Sequence, residues 1–141
     1  MKLEEAKLGR SFILRLEDGD CLHDCIEKAA REKGIDRAVC FFVGGADTGS
    51  RLVVGPEDGT AATIKPMVHS LDNVFEAAAV GTLFPDANGD PVLHMHATCG
   101  RGNQARTGCV REGGTVWLVG EVGIIEITDA GAVRRKDPRS G

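Results

Sequence analysis

Residues 12–34 read FILRLEDGDCLHDCIEKAAREKG, and they set the fold class. Phe12, Leu14 and Leu16 alternate with Ile13, Arg15 and Glu17. Alternation with period two is the mark of a strand with one buried face. Asp18-Gly19-Asp20 closes it as a turn. Leu22, Cys25, Ile26, Ala29, Ala30 and Lys33 then recur at helical spacing, while His23, Asp24, Glu27, Lys28 and Arg31 fill much of the other face. Asp20 is the expected cap for the first free N–H groups. Gly34 is the expected stop, because glycine adopts positive φ without a Cβ clash. A strand, a tight turn and one amphipathic helix therefore open the chain.

Downstream the pattern is extended. Ala38–Val43 is a nearly continuous apolar run, as in a buried central strand. Arg51–Val54 reads as a short strand, and Thr60–His69 as another extended candidate in which Pro66 points to an edge or a bulge. Phe75–Phe84 mixes helix-forming alanines with an extended end and is read mostly as strand. Val92–Thr98 is a strand, Gly100–Gly108 a glycine-rich basic loop, and Cys109–Val110 the start of another short strand. Glu112-Gly113-Gly114 is a turn, and Thr115–Thr128 a long strand or strand pair. The connections are too short for crossover helices, so antiparallel pairing should dominate. The expected architecture is a single-domain α+β fold, an antiparallel-dominated mixed sheet packed against one main helix. Residues 1–9 form an N-terminal segment, 10–128 the domain, and 129–141 a basic C-terminal tail that is expected to fray from Arg134 to Gly141. One helix cannot cover all the apolar sheet surface, which argues for a homo-oligomer.

The bulk properties narrow the function. Net charge is −4, from 21 acidic and 17 basic side chains, which works against general binding to a phosphate backbone. The start of the chain is charged and has no apolar h-region, and no apolar run approaches the roughly 20 residues a membrane helix needs. Five cysteines without a secretory segment suggest reduced thiols and a cytoplasmic location. Cys21 and Cys25 lack the spacing of a redox pair and read as small helix residues.

The chemistry concentrates in Pro91-Val92-Leu93-His94-Met95-His96-Ala97-Thr98-Cys99. Residues two apart in a strand face the same way, so His94 and His96 share one face and their Cβ atoms stand roughly 6 to 7 Å apart. Two imidazoles so placed can converge on a transition metal, and they suit zinc, iron, nickel or copper far better than calcium or magnesium. Cys109, thirteen residues after His96, is the leading candidate for a third ligand. His-His-Cys would match the three-ligand open form of zinc coordination. His69 and Cys99 are alternatives, although Cys99 has the parity of Leu93 and Met95. The competing reading is two histidines hydrogen-bonded in a polar cleft or at a subunit interface. His23 reads as a solvated helix residue. Glu121 and Glu76 are the candidate acid/base carboxylates, Glu121 because it interrupts an apolar strand, though it could equally face solvent. Arg101, Arg106 and Arg111 could line an anion-binding cleft near the histidines.

These pieces also occur in a recognisable order. Gly9–Gly19, Gly34–Ala38, Gly44-Gly45-Ala46, Leu93–Ala97 and Glu121-Val122 together resemble the plants and prokaryotes conserved (PPC) domain, formerly a domain of unknown function, over roughly Arg10 to Thr128. The resemblance implies an antiparallel-dominated α+β domain, assembly as a homotrimer, and a three-histidine cluster at subunit boundaries that holds a metal, zinc by preference. One departure stands out. Thr107-Gly108-Cys109-Val110 occupies the place of a typical Gly-Gly-His-Leu, so Cys109 falls at the third histidine's position. Plant members carry AT-hooks beside this domain, with an Arg-Gly-Arg-Pro core; Arg101-Gly102-Asn103 is not one. The leading expectation is a homotrimeric zinc-binding module with a small-molecule or protein partner. A metal-dependent hydrolase or lyase acting on a small anion, and a DNA-associated regulatory protein without an AT-hook, are the alternatives.

Overall fold

The computed structural model describes residues 1–111 and 113–137. Glu112, within the expected turn, and residues 138–141 of the tail lie outside the described residues. In chain order the elements are β1 (Lys7–Glu17), α1 (Leu22–Lys33), β2 (Ala38–Ala46), β3 (Arg51–Pro56), β4 (Pro66–Ser70), β5 (Phe75–Pro85), β6 (Pro91–Arg101), β7 (Gln104–Val110) and β8 (Val116–Thr128). The strands form one sheet in the order β1-β8-β2-β5-β6-β7-β3-β4. Each described ladder is antiparallel. The chain is thus an α+β domain with an antiparallel sheet packed against one helix, as its pattern predicts.

Parity along the strands divides the sheet into two faces. Leu16, Cys40, Phe42, Leu83, Met95, Val122 and Ile124 are buried on one side, together with Leu22, Ile26 and Ala30 of α1. Burying each large aliphatic side chain contributes about 1.5–3 kcal/mol, which fixes the strand register, since a one-residue slip would exchange the faces. The opposite face keeps apolar side chains in the open: Ile13, Phe41, Val43 and Val80 are all exposed.

The helix ends differ from one another. At its C-terminus Gly34 has φ 62. Its N–H donates to Arg31 O, and the Ile35 N–H to Ala30 O, the double bond of a Schellman cap. At its N-terminus the cap position is Cys21, with no side-chain hydrogen bond. The Asp20 carboxylate instead accepts from the Glu17 N–H at 2.8 Å, tightening the turn that Gly19 permits. The helix start is held from outside: the Leu22 N–H donates to Gly114 O at 2.9 Å, next to a bridge between Cys21 and Thr115.

Two stretches are more ordered than expected, and one less. The expected loop at Gly100–Gly108 is a hairpin. β6 runs to Arg101, β7 begins at Gln104, and Gly102 takes φ 58 at the first central position, where a type II′ turn puts glycine. Glycines and basic residues hid the period-two pattern, yet Gly108 is needed within the sheet: a Cβ there would lie 2.7 Å from Val53 O on β3. The tail, expected to fray, turns back over the domain. The Gly131 N–H donates to Glu4 Oε1 at 2.6 Å, Arg37 Nε to Ala132 O at 2.9 Å, and the Arg134 N–H to Pro85 O at 2.7 Å. Within the extended candidate Thr60–His69, strand begins only at Pro66, and β4 is the outermost strand, the edge position that proline favours.

Candidate metal centre

β6 places His94 and His96 on the open face of the sheet, and β7 brings Cys109 directly opposite His96. The two Nε2 atoms are 3.1 Å apart, with ring centroids 5.0 Å apart and the rings inclined at 69°. Two N–H groups cannot face each other at that distance, so at least one ring presents an Nε2 lone pair. One ligand atom from each of His94, His96 and Cys109 lies within 4.8 Å of the others. A tetrahedral zinc, with bonds of about 2.0 Å to nitrogen and 2.3 Å to sulfur, would hold its ligand atoms roughly 3.3–3.6 Å apart. The imidazole nitrogens, 3.1 Å apart, are within a few tenths of an ångström of that spacing, and small side-chain movements would bring all three atoms to it. Neutral imidazole and thiolate are the donor types zinc prefers. The residues therefore fit a transition metal, with three protein ligands and room for a fourth.

The surroundings favour the ligand form of His94. Its pKa is lowered by burial, and further by Arg134, His96, Arg111 and His23, so the neutral ring is preferred. A cleft of about 610 Å³ opens beside this histidine. It exists because β7 ends at Val110, opposite Met95, while β6 continues back to Pro91. Beyond that end the Leu93 N–H donates to Glu27 Oε1 of α1 at 2.9 Å. His23, Arg111 and Arg134 line the cleft with His94 and Cys109.

The other residues singled out from the sequence lie elsewhere. Cys99 is buried on the core face, where burial raises its pKa. His69 sits on β4, opposite Leu52. Arg101 pairs with Gln104 and Arg106 with Cys99, which puts both on the face opposite the histidines. Arg101 Nη1 donates to Val74 O at 3.1 Å, and Arg106 Nη2 to Gln104 Oε1 at 3.4 Å. Glu76 is exposed, opposite Gly100. Glu121 shares the open face but lies on β8, three strands from β6, or about 14 Å within one chain. The structure brings His94, His96, Cys109 and Arg111 together and leaves Arg101, Arg106 and Glu121 apart from them. It adds Arg134, which the composition of the tail did not single out. The buried carboxylate of β8 is Glu126, not Glu121: Arg10 Nε and Nη2 grip it at 2.8 and 2.6 Å.

Fold and site together define a small antiparallel α+β domain with a His-His-Cys cluster that could hold a metal ion at the edge of a cleft. The chain belongs to the Plants and Prokaryotes Conserved (PCC) domain family, whose pattern it matches over residues 3–128. Among solved structures it is similar to a plant- and prokaryote-conserved protein of Pyrococcus horikoshii. That match has 21% identity, covers 98% of this chain and 91% of that one, and has a TM-score of 0.79. It is also similar to a metal-containing protein of Archaeoglobus fulgidus, at 24% identity over 100% and 96% of the two chains, with a TM-score of 0.80. A candidate DNA-binding protein of Ralstonia eutropha matches at 23% identity over 89% and 83%, with a TM-score of 0.68. At these identities the likeness is one of fold. No curated protein matches the chain in sequence.

Proposed function

We propose that the protein is a homotrimeric metal-binding module in which His94, His96 and Cys109 hold one zinc ion, leaving a position open toward the cleft. The observation that carries this reading is the convergence of three ligand atoms from two adjacent strands to within 4.8 Å. The Archaeoglobus relative, described as metal-containing, supports it. Zinc bound here would supply Lewis acidity at the open position. The trimer is supported by the family resemblance and by the open apolar face. Phe41 pairs with Val80, and Val80 with His96, so apolar surface runs up to the ligands. Such surface is unusual on a protein that stays alone. We take residues 10–128 as the functional domain and the five free thiols as fitting a reducing, cytoplasmic setting. Among the described residues no helix is long and apolar enough to cross a membrane.

A metal-dependent hydrolase or lyase is the second reading, favoured by the cleft beside the ligands. Glu121 serves such a reaction as acid or base only where another subunit brings it to the cleft. The DNA-associated reading leans on the description of the Ralstonia protein, and a chain of net charge −4 works against it.

The deciding experiment is elemental metal analysis of the purified protein beside its Cys109→Ala form, with the assembly mass of each. One zinc per chain in the first and a marked loss in the second is expected. A protein that takes up no transition metal overturns the reading.

A further inference from the structure

We propose that the cleft beside the metal centre binds a small oxyanion, a carboxylate or a phosphate, between the ligand set, Arg111 and an arginine delivered by the C-terminal strap, Arg134. This rests on the metal-centre reading and gives that site a ligand class. Four observations support it.

The first is where Arg134 comes from. It lies six residues after the last one in the family match, on the strap that turns back across the domain. Its own N–H is fixed to Pro85 O, its Nη2 lies 3.2 Å from Thr82 Oγ1, and its guanidinium carbon is 5.8 Å from the Phe84 ring centroid. The side chain is therefore held in place before any ligand arrives, which lowers the ordering cost of binding.

The second is an unmet hydrogen-bond donor. Arg134 Nε is buried and has no hydrogen-bond partner among the described residues. Buried donors are rarely left so, and a guanidinium matches a carboxylate or phosphate with parallel N–H groups.

The third is charge. Glu27 is engaged, with Oε1 accepting from Leu93 and Oε2 3.8 Å from Arg31. Of the other charged residues lining the cleft, Arg111, Arg134 and Arg135 outnumber Asp24 and Asp137. A divalent ion shared with a Cys109 thiolate would add a further positive charge. Low-dielectric walls focus such a field on an entering anion.

The fourth is room. A cleft of about 610 Å³ lies within the usual range for small-molecule sites.

The test is calorimetric titration of inorganic phosphate, and separately of acetate, into zinc-loaded and metal-free protein. Wild type should bind one anion per chain, more tightly with zinc. Arg134→Gln and Arg111→Gln should each weaken binding about tenfold or more while keeping wild-type zinc content. Arg134→Lys should recover part of the loss, and Arg101→Gln should match wild type. Zinc-loaded protein that binds neither anion overturns the inference, as does wild-type affinity in both glutamine variants. Should Arg134→Gln fail to fold, Arg111→Gln alone decides. Should zinc fail to load, the metal-centre reading falls. The metal-free titrations then judge the arginines: loss of binding in the variants supports the clamp, and no change overturns it.

Discussion

Cys109 stands directly across the β6–β7 ladder from His96, on the same face of the sheet and next to the core, where only 6% of it is exposed. The thiol is thus shielded from solvent on one side and offered to the imidazoles on the other. Removing it should cost the proposed metal centre one of its three ligands. Cys109→Ala is expected to lower zinc affinity by at least a hundredfold in competition with a chromophoric chelator. Cys99→Ala, ten residues earlier and facing the core, should retain wild-type affinity and lose stability instead, since it empties a buried site. Retained affinity in Cys109→Ala would assign the third ligand elsewhere.

Glu126 couples the domain's stability to acid. Arg10 donates to its carboxylate from Nε, Nη2 and the backbone N–H. These bonds lower its pKa from 4.5 to about 2. A depressed folded-state pKa means that the contribution is complete above the unfolded value, near 4.5, and drains away as pH falls toward 2. Glu126→Gln should lower Tm by a few degrees at pH 7 and flatten the decline below pH 4.5. An acid limb identical to that of wild type would show that other carboxylates govern it.

Strand parity made most of this legible in the sequence. The alternation from Leu93 to Cys99 assigned the histidines to one face and Cys99 to the other, and that is how they lie. Parity also held a signal left unused. Glu126 is in step with Val122 and Ile124, so it had to be the carboxylate of β8 that turns to the core, with Glu121 outward. What escaped the reading was set by tertiary contacts. Gly108 is glycine because β3 passes against it, yet in sequence it looks like loop. Arg134 sits in a polar, basic stretch with no periodicity. Its place comes from its own bond to Pro85 and from those of Gly131 to Glu4 and Ala132 to Arg37, all with residues far away along the chain.

The open face makes a prediction about assembly. Phe41 is 47% exposed at the middle of the sheet and Val80 54%, with Ile13 further along the same row. If this surface is buried between copies, a charge placed there must be desolvated on assembly. Phe41→Glu should reduce the mass in light scattering from three times 14.9 kDa to 14.9 kDa, and leave the far-ultraviolet circular dichroism of the chain unchanged. A wild-type mass of 14.9 kDa would remove the trimer from the proposed function.

The proposed metal centre also depends on a residue that never touches it. Gly81 on β5 lies opposite Met95, between His94 and His96. A Cβ at this position would come within 2.8 Å of His94 O and 2.9 Å of Met95 Cβ. Neither neighbour is the loose end of a flexible side chain, so β6 itself would have to move away from β5. Gly81→Ala should therefore cost about 1–3 kcal/mol of stability, as overpacking does. Because the strand that shifts carries both histidines, zinc affinity should fall with it, though no ligand is altered. Gly123→Ala is the matched control. It removes a glycine from β8, two strands from β5 in the same sheet, where a Cβ would meet nothing within 4 Å, and zinc affinity should stay at the wild-type level. Equal affinities in the two variants would mean that the histidines tolerate a displaced strand, and that the spacing of their Nε2 atoms is set by the metal rather than by the sheet.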